Sequence, residues 1–386
     1  MRQIALDQSI PFSSPYVICK IEYAEKGNNI FKYKIKIHKS HKIKGKWYIA
    51  NSSPKNNENI IPLIDDPDLH DGDILEITDN NCIFVQVNSK SDDNSIIVNN
   101  HCNENCINCP QSNHEKNDSL RKKNELIIDF FSKDISRIGL TGGEPTLDID
   151  YLISLILKLY SKNPNIHIDL LTNGLTLSNI KNVQKLNKIL YKNILFCIAL
   201  YADIPSLHDK HTLVQGSFEK TIQAIHNLTL FKQKIELRFV INKLNYLRLN
   251  SFIEFVYENF PFIQHLSLMG MEYSGIALSN IDYLYINVQD YARILESSVK
   301  KAKQRGVKVF IYNHPLCILS KSLWRVCVPS ISLWKVGYMN ECFECDLIGI
   351  CGGFFTTTKT EYQPIGINAI NLDTDKRITG YENYKD

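Results

Sequence analysis

The sequence predicts an α/β protein, in which a parallel β/α barrel follows a small β-rich unit and precedes a cysteine-rich segment. Three observations support this prediction. Residues 1–90 contain only short strand-like segments, and from residue 95 apolar strands alternate with amphipathic helical segments. After residue 313 the alternation stops. Strand–helix units in series imply parallel strands joined by right-handed crossovers, because only that hand packs the helix back onto a twisted sheet.

Length and composition limit the class of protein. At 386 residues the chain exceeds one ordinary domain, and we predict domains at 1–92, 93–313 and 314–386. The net charge of +3 indicates no nucleic-acid partner. The longest apolar run, 194–202, is far shorter than the roughly 20 residues that span a bilayer, so we expect no membrane segment. The first residues do not resemble a secretory signal, and we therefore expect a cytoplasmic protein.

The N-terminal unit shows alternating apolar and polar residues in short segments that Asn, Gly, Pro and Asp clusters separate. The predicted strands are 16–24, 31–38, 46–50, 73–78 and 82–87. A polar stretch at 88–94 marks the end of the unit. Two roles stay open for it. In the first, the unit binds the leader of a peptide substrate, which adds a strand to the edge of its sheet. In the second, it only packs against the barrel.

The central region supplies the barrel. Its predicted strands are 95–100, 137–142, 166–173, 195–202, 235–242, 265–270 and 307–313. Its predicted helices are 119–133, 149–162, 177–190, 217–231, 247–259 and 288–306. About six strand–helix units favour a partial (β/α)6 barrel of the TIM type. A doubly wound sheet is the alternative, but no glycine-rich dinucleotide fingerprint follows the first strand.

Eleven cysteines are many for a chain expected in the reducing cytosol, so clustered ones indicate metal ligands before disulfides. Cys102, Cys106 and Cys109 follow the first barrel strand with C-x3-C-x2-C spacing. Three thiolates on one loop can ligate three irons of a four-iron cluster. The fourth iron then keeps the open position that a catalytic metal needs. A zinc knuckle, or a cluster completed by a fourth cysteine, is the alternative.

A Gly-Gly-Glu run ends the second barrel strand, where β/α barrels keep their active sites. Gly142 and Gly143 allow close approach of the backbone to a ligand, and Glu144 offers an acceptor beside them. The alternative is an ordinary turn before a helix, with Pro145 at the first helical position.

Together, the cysteine loop and the Gly-Gly-Glu run resemble the radical S-adenosylmethionine (SAM) superfamily over about residues 95–312. The resemblance implies a [4Fe–4S] cluster on the three cysteines and SAM on the open iron. It also implies that Gly142, Gly143 and Glu144 contact the SAM amino group and that Ile107 lies near adenine. Reduction of the cluster would cleave SAM to methionine and a 5′-deoxyadenosyl radical that abstracts hydrogen from a substrate.

Other positions fit this superfamily less sharply. Asn173 ends the third strand and Arg238 lies on the fifth, and the resemblance places both at the SAM site. Two interactions are open for Arg238: a bidentate pair with the SAM carboxylate, or a plain salt bridge to the barrel rim. Tyr201 stands where many relatives have serine, so its role is open. Residues 208–218 resemble a segment of peptide-modifying members, although Ser217 is also a plain helix cap.

A second cysteine group lies near the C-terminus, with Cys342, Cys345 and Cys351 downstream of Cys317. Four thiolates can fully ligate a cluster, and the group resembles the auxiliary [4Fe–4S] clusters of peptide-modifying radical SAM enzymes. Zinc accepts the same ligands. Cys327 is a second candidate for the place given to Cys317.

A finer resemblance rests on CINCPQ at 106–111, NHPLC at 313–317, SISLWK at 330–335 and CGGFF at 351–355. These segments are similar to the C-type radical SAM maturase of the His-Xaa-Ser repeat peptide system. The resemblance implies a ribosomally made repeat peptide as substrate and a paired radical SAM maturase. It also implies an electron donor such as flavodoxin or ferredoxin. The alternatives are a radical SAM enzyme of cofactor biosynthesis and a metal-stabilised scaffold.

Overall fold

The computed structural model describes residues 2–5, 16–27, 30–39, 47–50, 59–63, 68–80, 82–111, 119–189 and 193–372. The strands are β1 Arg2–Ala5, β2 Tyr16–Gly27, β3 Ile30–Ile37, β4 Trp47–Ala50, β5 Asn59–Pro62, β6 Ile74–Thr78, β7 Cys82–Val87, β8 Ser95–Asn99, β9 Arg137–Gly142, β10 His167–Thr172, β11 Ile194–Ala199, β12 Lys234–Val240, β13 His265–Met269, β14 Val309–Tyr312, β15 Cys327–Val328, β16 Val336–Gly337 and β17 Phe354–Phe355. The helices are α1 Ser119–Asp129, α2 Ile149–Lys162, α3 Ile180–Asn187, α4 Pro205–Thr212, α5 Ser217–Leu230, α6 Leu249–Asn259, α7 Gly275–Ser279, α8 Ile281–Leu284 and α9 Val288–Gln304.

The chain divides into two compact units. The first comprises Met1–Asn99, Lys116–Gly142 and Asp150–Asp169, and the second comprises Asn100–Glu115, Gly143–Ile149 and Leu170–Asp386. The domain boundaries at 92/93 and 313/314 stay predictions. Among the described residues, every helix falls short of the length and hydrophobicity that a bilayer crossing needs.

In the first unit, seven strands form a sheet in the order β1-β7-β6-β2-β3-β4-β5. All neighbours pair antiparallel except β4 and β5, which are parallel. Apolar and polar residues alternate along β3, so that one face of the strand points to the core and the other to solvent. Tyr33 and Ile35 are buried, whereas Lys36 is exposed. The five predicted strands are confirmed. Strands β1 and β5 were not predicted.

The first unit also contains the start of the parallel region. Strands β8 and β9 pair in parallel, with Ser95 opposite Gly139. Helix α2 buries one side through Leu152, Leu155 and Leu159, whose spacing of three and four residues matches the helical period. The Asn163 side chain then donates to the carbonyls of residues 133 and 135, which ties the end of α2 to the loop before β9.

In the second unit, β11 to β15 pair in parallel and follow the chain order. The pairing aligns the last residues of consecutive strands: Val240 lies opposite Met269, and Met269 lies opposite Tyr312. Residues that follow these strands therefore share one edge of the sheet, as parallel pairing requires. The predicted α/β class is confirmed.

The structure changes the ends of several predicted helices. The predicted helix at 177–190 begins at Ile180, because the Asn179 side chain accepts the Lys181 backbone N–H at 3.1 Å and so acts as its N-cap. Helix α4 was not predicted at all. Beyond β14, short 3-10 turns and the antiparallel pair β16–β17 replace the alternation, as expected.

Candidate active site

Backbone hydrogen bonds hold the cysteine loop after β8. The Ile107 N–H donates to the carbonyl of His211 at 2.8 Å, and the Asn105 N–H donates to that of Thr212 at 3.1 Å. The Cys109 carbonyl accepts the Ala277 N–H at 2.9 Å. These contacts use only main-chain groups of the loop. These hydrogen bonds therefore hold the loop in position and involve none of its three thiols.

The three thiols are free and partly buried. Burial raises the pKa of Cys102 to about 12 and raises the pKa of Cys109. Burial also raises the pKa of Cys106 well above its usual value, and the Glu104 carboxylate and the other two cysteines add to the rise. Such thiols ionise only beside a cation, and a bound metal supplies one by displacing the proton. Three thiols on one loop are the donor type that an iron–sulfur cluster uses.

The two glycines of the Gly-Gly-Glu turn permit close approach to the chain itself. Gly142 has φ of +134°, and a Cβ there would lie 2.2 Å from the Asn99 carbonyl oxygen. A Cβ on Gly143 would lie 2.1 Å from the His101 carbonyl oxygen. The Glu144 N–H donates to that same His101 oxygen at 2.8 Å. The turn therefore lies against the residue that precedes Cys102.

The Glu144 carboxylate is buried and accepts hydrogen bonds on both of its oxygens. One oxygen accepts from the backbone N–H and the hydroxyl of Thr146, and from the Thr172 hydroxyl at 2.6 Å. The other oxygen accepts the Asn173 N–H at 2.7 Å. Burial raises the pKa of Glu144, and these donors oppose the rise. Glu144 therefore joins the turn to the end of β10, and its contact with SAM stays a prediction.

Asn173 reaches the cysteine loop directly. Its side-chain nitrogen donates to the Asn103 side-chain oxygen at 2.8 Å and lies 3.8 Å from the Cys102 sulfur. Gly174 follows with φ of +82°, a conformation that favours glycine, and starts the next turn. Sequence reasoning placed Asn173 at the SAM site, and the structure brings it beside a predicted cluster ligand.

Arg238 forms the alternative interaction that the sequence left open. It pairs with Glu236 two residues earlier on β12, at 2.9 Å and 3.2 Å. Glu236 is fully buried and also accepts from the Ser267 hydroxyl at 2.6 Å. Arg238 and a buried histidine, His265, hold the pKa of Glu236 at about 2 despite the opposing effect of burial. A contact of Arg238 with SAM stays a prediction.

Ile107 and Tyr201 are the remaining candidates near the loop. Ile107 packs against a buried apolar cluster that includes Met271 and Tyr273. The Tyr201 ring stacks on the rings of His208 and His211, at centroid distances of 5.6 Å and 5.5 Å.

Sequence reasoning missed Glu104, which lies between two of the cysteines. Its side chain is 2% exposed, and one oxygen lies 3.3 Å from the Cys106 sulfur. Within the described part of the chain, its other oxygen has no hydrogen-bond partner. Burial raises the pKa of Glu104 to about 8. The sequence does show a glutamate between two predicted metal-ligand cysteines. Spacing alone, however, does not distinguish a buried carboxylate from a solvated one.

The C-terminal cysteines border one cavity. Cys317, Cys342, Cys345 and Cys351 all line it, and most other lining side chains are apolar. Backbone N–H groups reach two of the sulfurs, from Leu316 to Cys351 at 3.4 Å and from Ile370 to Cys345 at 3.3 Å.

Cys327 is not among the residues that line this cavity. It is buried on β15, and its thiol donates to the Leu323 carbonyl at 3.4 Å. Among the described residues, no three His, Cys, Asp or Glu side chains gather tightly enough to hold a single metal ion. This holds for the C-terminal cysteines and for Cys102, Cys106 and Cys109 alike.

One family model matches a part of the chain that is shorter than half of its length. Residues 96–245 match the model of the Radical SAM superfamily. No curated protein matches the chain.

Several solved structures are similar. SuiB of Streptococcus suis bound to precursor peptide SuiA has 19% identity and a TM-score of 0.44, covering 56% of this chain and 47% of that one. Native anSMEcpe with bound AdoMet and Cp18Cys peptide has 14% identity and a TM-score of 0.49, covering 70% and 91%. A radical SAM methyltransferase from Sphaerobacter thermophilus has 9% identity and a TM-score of 0.41, covering 76% of both chains. The chain spans about half the length of SuiB.

Proposed function

We propose that the chain is a radical SAM enzyme that modifies a ribosomally made peptide by hydrogen abstraction; the match of residues 96–245 to the Radical SAM superfamily supports the first part of this proposal. When bound, a [4Fe–4S] cluster and SAM supply reductive cleavage of SAM to methionine and a 5′-deoxyadenosyl radical. The observation that carries the proposal is the convergence of the cysteine loop, the Gly-Gly-Glu turn and Asn173 on one place.

The residues at this place have separate tasks. Cys102, Cys106 and Cys109 would hold three irons. Asn173, whose amide lies beside the Cys102 sulfur, orients that part of the loop. The partly buried Ile107 side chain packs against the apolar cluster that includes Met271 and limits the access of water to the loop on that side.

The four-cysteine cavity supports a second [4Fe–4S] cluster, and this feature favours a peptide substrate through the resemblance to auxiliary-cluster enzymes. A zinc ion would draw its sulfurs to about 2.3 Å from one point. Thiols that border a cavity instead suit a larger group whose irons lie at the corners of a cube. Hydrogen bonds from backbone N–H groups to two of the sulfurs would tune its potential.

The finer proposal is a His-Xaa-Ser repeat peptide as substrate, a paired radical SAM maturase as partner, and flavodoxin or ferredoxin as electron donor. It is supported by the sequence segments at 106–111, 313–317, 330–335 and 351–355. A small-molecule substrate from cofactor biosynthesis is the competing hypothesis.

The test is anaerobic reconstitution with iron and sulfide, followed by dithionite, SAM and a synthetic His-Xaa-Ser repeat peptide. We expect 5′-deoxyadenosine and a shifted peptide mass from the wild-type enzyme. A Cys102→Ala variant should form neither, whereas Cys82→Ala, which alters a half-exposed thiol on β7, should form both. Deoxyadenosine without any change in peptide mass would favour the small-molecule hypothesis. Equal deoxyadenosine from wild type and Cys102→Ala would refute the assignment of the cluster site.

A further inference from the structure

A small cleft of about 40 Å³ lies in the second unit at the edge where β13 and β14 end. Gly270 directly follows β13, Asn313 directly follows β14, and both line the cleft. A Cβ on Gly270 would lie 2.5 Å from the Asn313 carbonyl oxygen, so glycine is needed for these two segments to approach. The carboxyl ends of parallel barrel strands are where this class of fold binds substrates.

Aromatic rings dominate the lining of this cleft. The Tyr285 ring centroid lies 5.4 Å from that of Tyr273 and 5.1 Å from that of Tyr362. Tyr291 and Phe354 add further ring surface. Aromatic side chains lining a cleft favour a planar ring as ligand. Tilted or offset pairs of aromatic rings attract one another by more than the burial of their surface alone explains.

No charged side chain lines the cleft among the described residues; its polar groups are amides and hydroxyls, such as those of Asn287 and Thr358. A cation or anion placed there would lose water without gaining a counter-ion. An aliphatic guest would offer no acceptor to the Asn287 amide nitrogen. The chemistry therefore suits an uncharged ring that carries a polar atom.

The cleft adjoins both cysteine sites. Ile107 of the cysteine loop packs on the same apolar cluster as Tyr285 and Tyr362. On another side, Phe354 lines both the cleft and the four-cysteine cavity. No residue of the cysteine loop or the Gly-Gly-Glu turn lines the cleft, although SAM is expected to touch both. The cleft is therefore a neighbour of the SAM site rather than part of it.

Asn287 provides a polar contact whose chemistry can be altered without disturbing the fold. It is the N-cap of α9, and its side-chain oxygen accepts the Gln289 N–H at 3.1 Å. The cap does not use the amide nitrogen, which can donate to a heteroatom of a guest ring. Aspartate caps helices as well as asparagine does. An Asn287→Asp change therefore keeps the cap and replaces a donor with a negative charge.

We propose that this cleft binds one uncharged ring side chain of the peptide substrate, with the Asn287 amide contacting the polar atom of the ring. The proposal rests on the peptide function proposed above. In a His-Xaa-Ser repeat, the neutral imidazole of histidine is the group that meets these requirements.

The experiment measures binding of fluorescein-labelled peptides to the full-length reconstituted enzyme by fluorescence anisotropy. The peptides carry His-Ala-Ser, Lys-Ala-Ser or Ala-Ala-Ser repeats, at about pH 8, where imidazole is neutral. Wild-type enzyme should bind the histidine peptide most tightly. Asn287→Asp should lower that affinity about fivefold and raise the affinity for the lysine peptide about fivefold. Asn179→Asp, the same change at the N-cap of α3, should alter neither.

Each other result counts against the inference. If the wild type binds the histidine peptide and Asn287→Asp leaves the order of affinities unchanged, the cleft is not the site, but the peptide function stands. If SAM displaces the histidine peptide, the cleft accepts adenine instead. If the wild type binds none of the peptides, the inference falls together with the peptide substrate.

Discussion

Glu144→Gln tests the conclusion that Glu144 acts as a buried connector between the Gly-Gly-Glu turn and the end of β10. Each carboxylate oxygen faces a backbone N–H, from Thr146 at 2.9 Å and from Asn173 at 2.7 Å. Glutamine has only one oxygen, so its NH2 group must point at one of these N–H donors. No rotation of the amide avoids this conflict, because main-chain donors cannot become acceptors.

The size of the effect follows from these contacts. Leaving a buried donor without a partner costs about 1–3 kcal/mol, and hydrogen bonds to a charged group exceed neutral ones by about 1 kcal/mol. We therefore expect the local free energy of opening to fall by about 3 kcal/mol. This loss corresponds to roughly 100-fold faster exchange of the amides involved, if local opening limits exchange.

Hydrogen–deuterium exchange of the cofactor-free protein, read by mass spectrometry over 143–149 and 170–176, measures this opening directly. Glu219→Gln is the matched control, because Glu219 is exposed in the first turn of α5 and should leave both segments unchanged. Exchange within about twofold of wild type in Glu144→Gln would refute the reasoning. Weakened SAM binding with unchanged exchange would instead make Glu144 a direct ligand.

Three further predictions concern other parts of the second unit. Cys317→Ala should lower the iron content of the reconstituted protein from about eight to about four per chain, whereas Cys327→Ala should keep about eight; equal losses would contradict the ligand set. Asp209→Asn should destabilise the unit by about 2 kcal/mol in urea denaturation, because the Asp209 carboxylate accepts from Gly216, Ser217 and Phe218; an unchanged midpoint would refute this. Burial lowers the pKa of His208 to about 4, so neutral His208 stabilises the fold above pH 6.5 and this contribution is lost as the pH falls from 6.5 towards 4. His208→Phe should flatten the dependence of stability on pH in that range, and an unchanged slope would exclude His208 as its cause.

The fold could be predicted where a local pattern has one structural solution. Apolar segments that alternate with amphipathic segments of helical length imply parallel strands, and β11 to β14 confirm this. Short elements escaped prediction. Strands β1 and β5 are four residues long, and helices α7 and α8 are five and four. Tertiary contacts decide elements of that length, because local propensity is too weak to fix them.

The candidate site could also be predicted only in part, where its features are local in the sequence. The spacing of Cys102, Cys106 and Cys109 within ten residues is a local property, so the cysteine loop could be recognised from the sequence. The pairing of Arg238 with Glu236 is also local, since residues two apart on a strand point to the same face. The partner of Arg238 nevertheless stayed open in the sequence analysis, because the SAM carboxylate was equally consistent with the sequence.

The sequence alone determined which residue types are available for chemistry and in what order: a three-cysteine loop after a first strand, a Gly-Gly-Glu turn after the second, and a later cysteine group. Only the tertiary structure decided that Cys317 and not Cys327 shares a cavity with the later cysteines, and that the Glu144 oxygens are occupied within the chain. The reason is physical. Ligand identity is carried by side-chain chemistry, whereas the distance between groups far apart in the chain, and their access to water, are set by how the strands and turns pack.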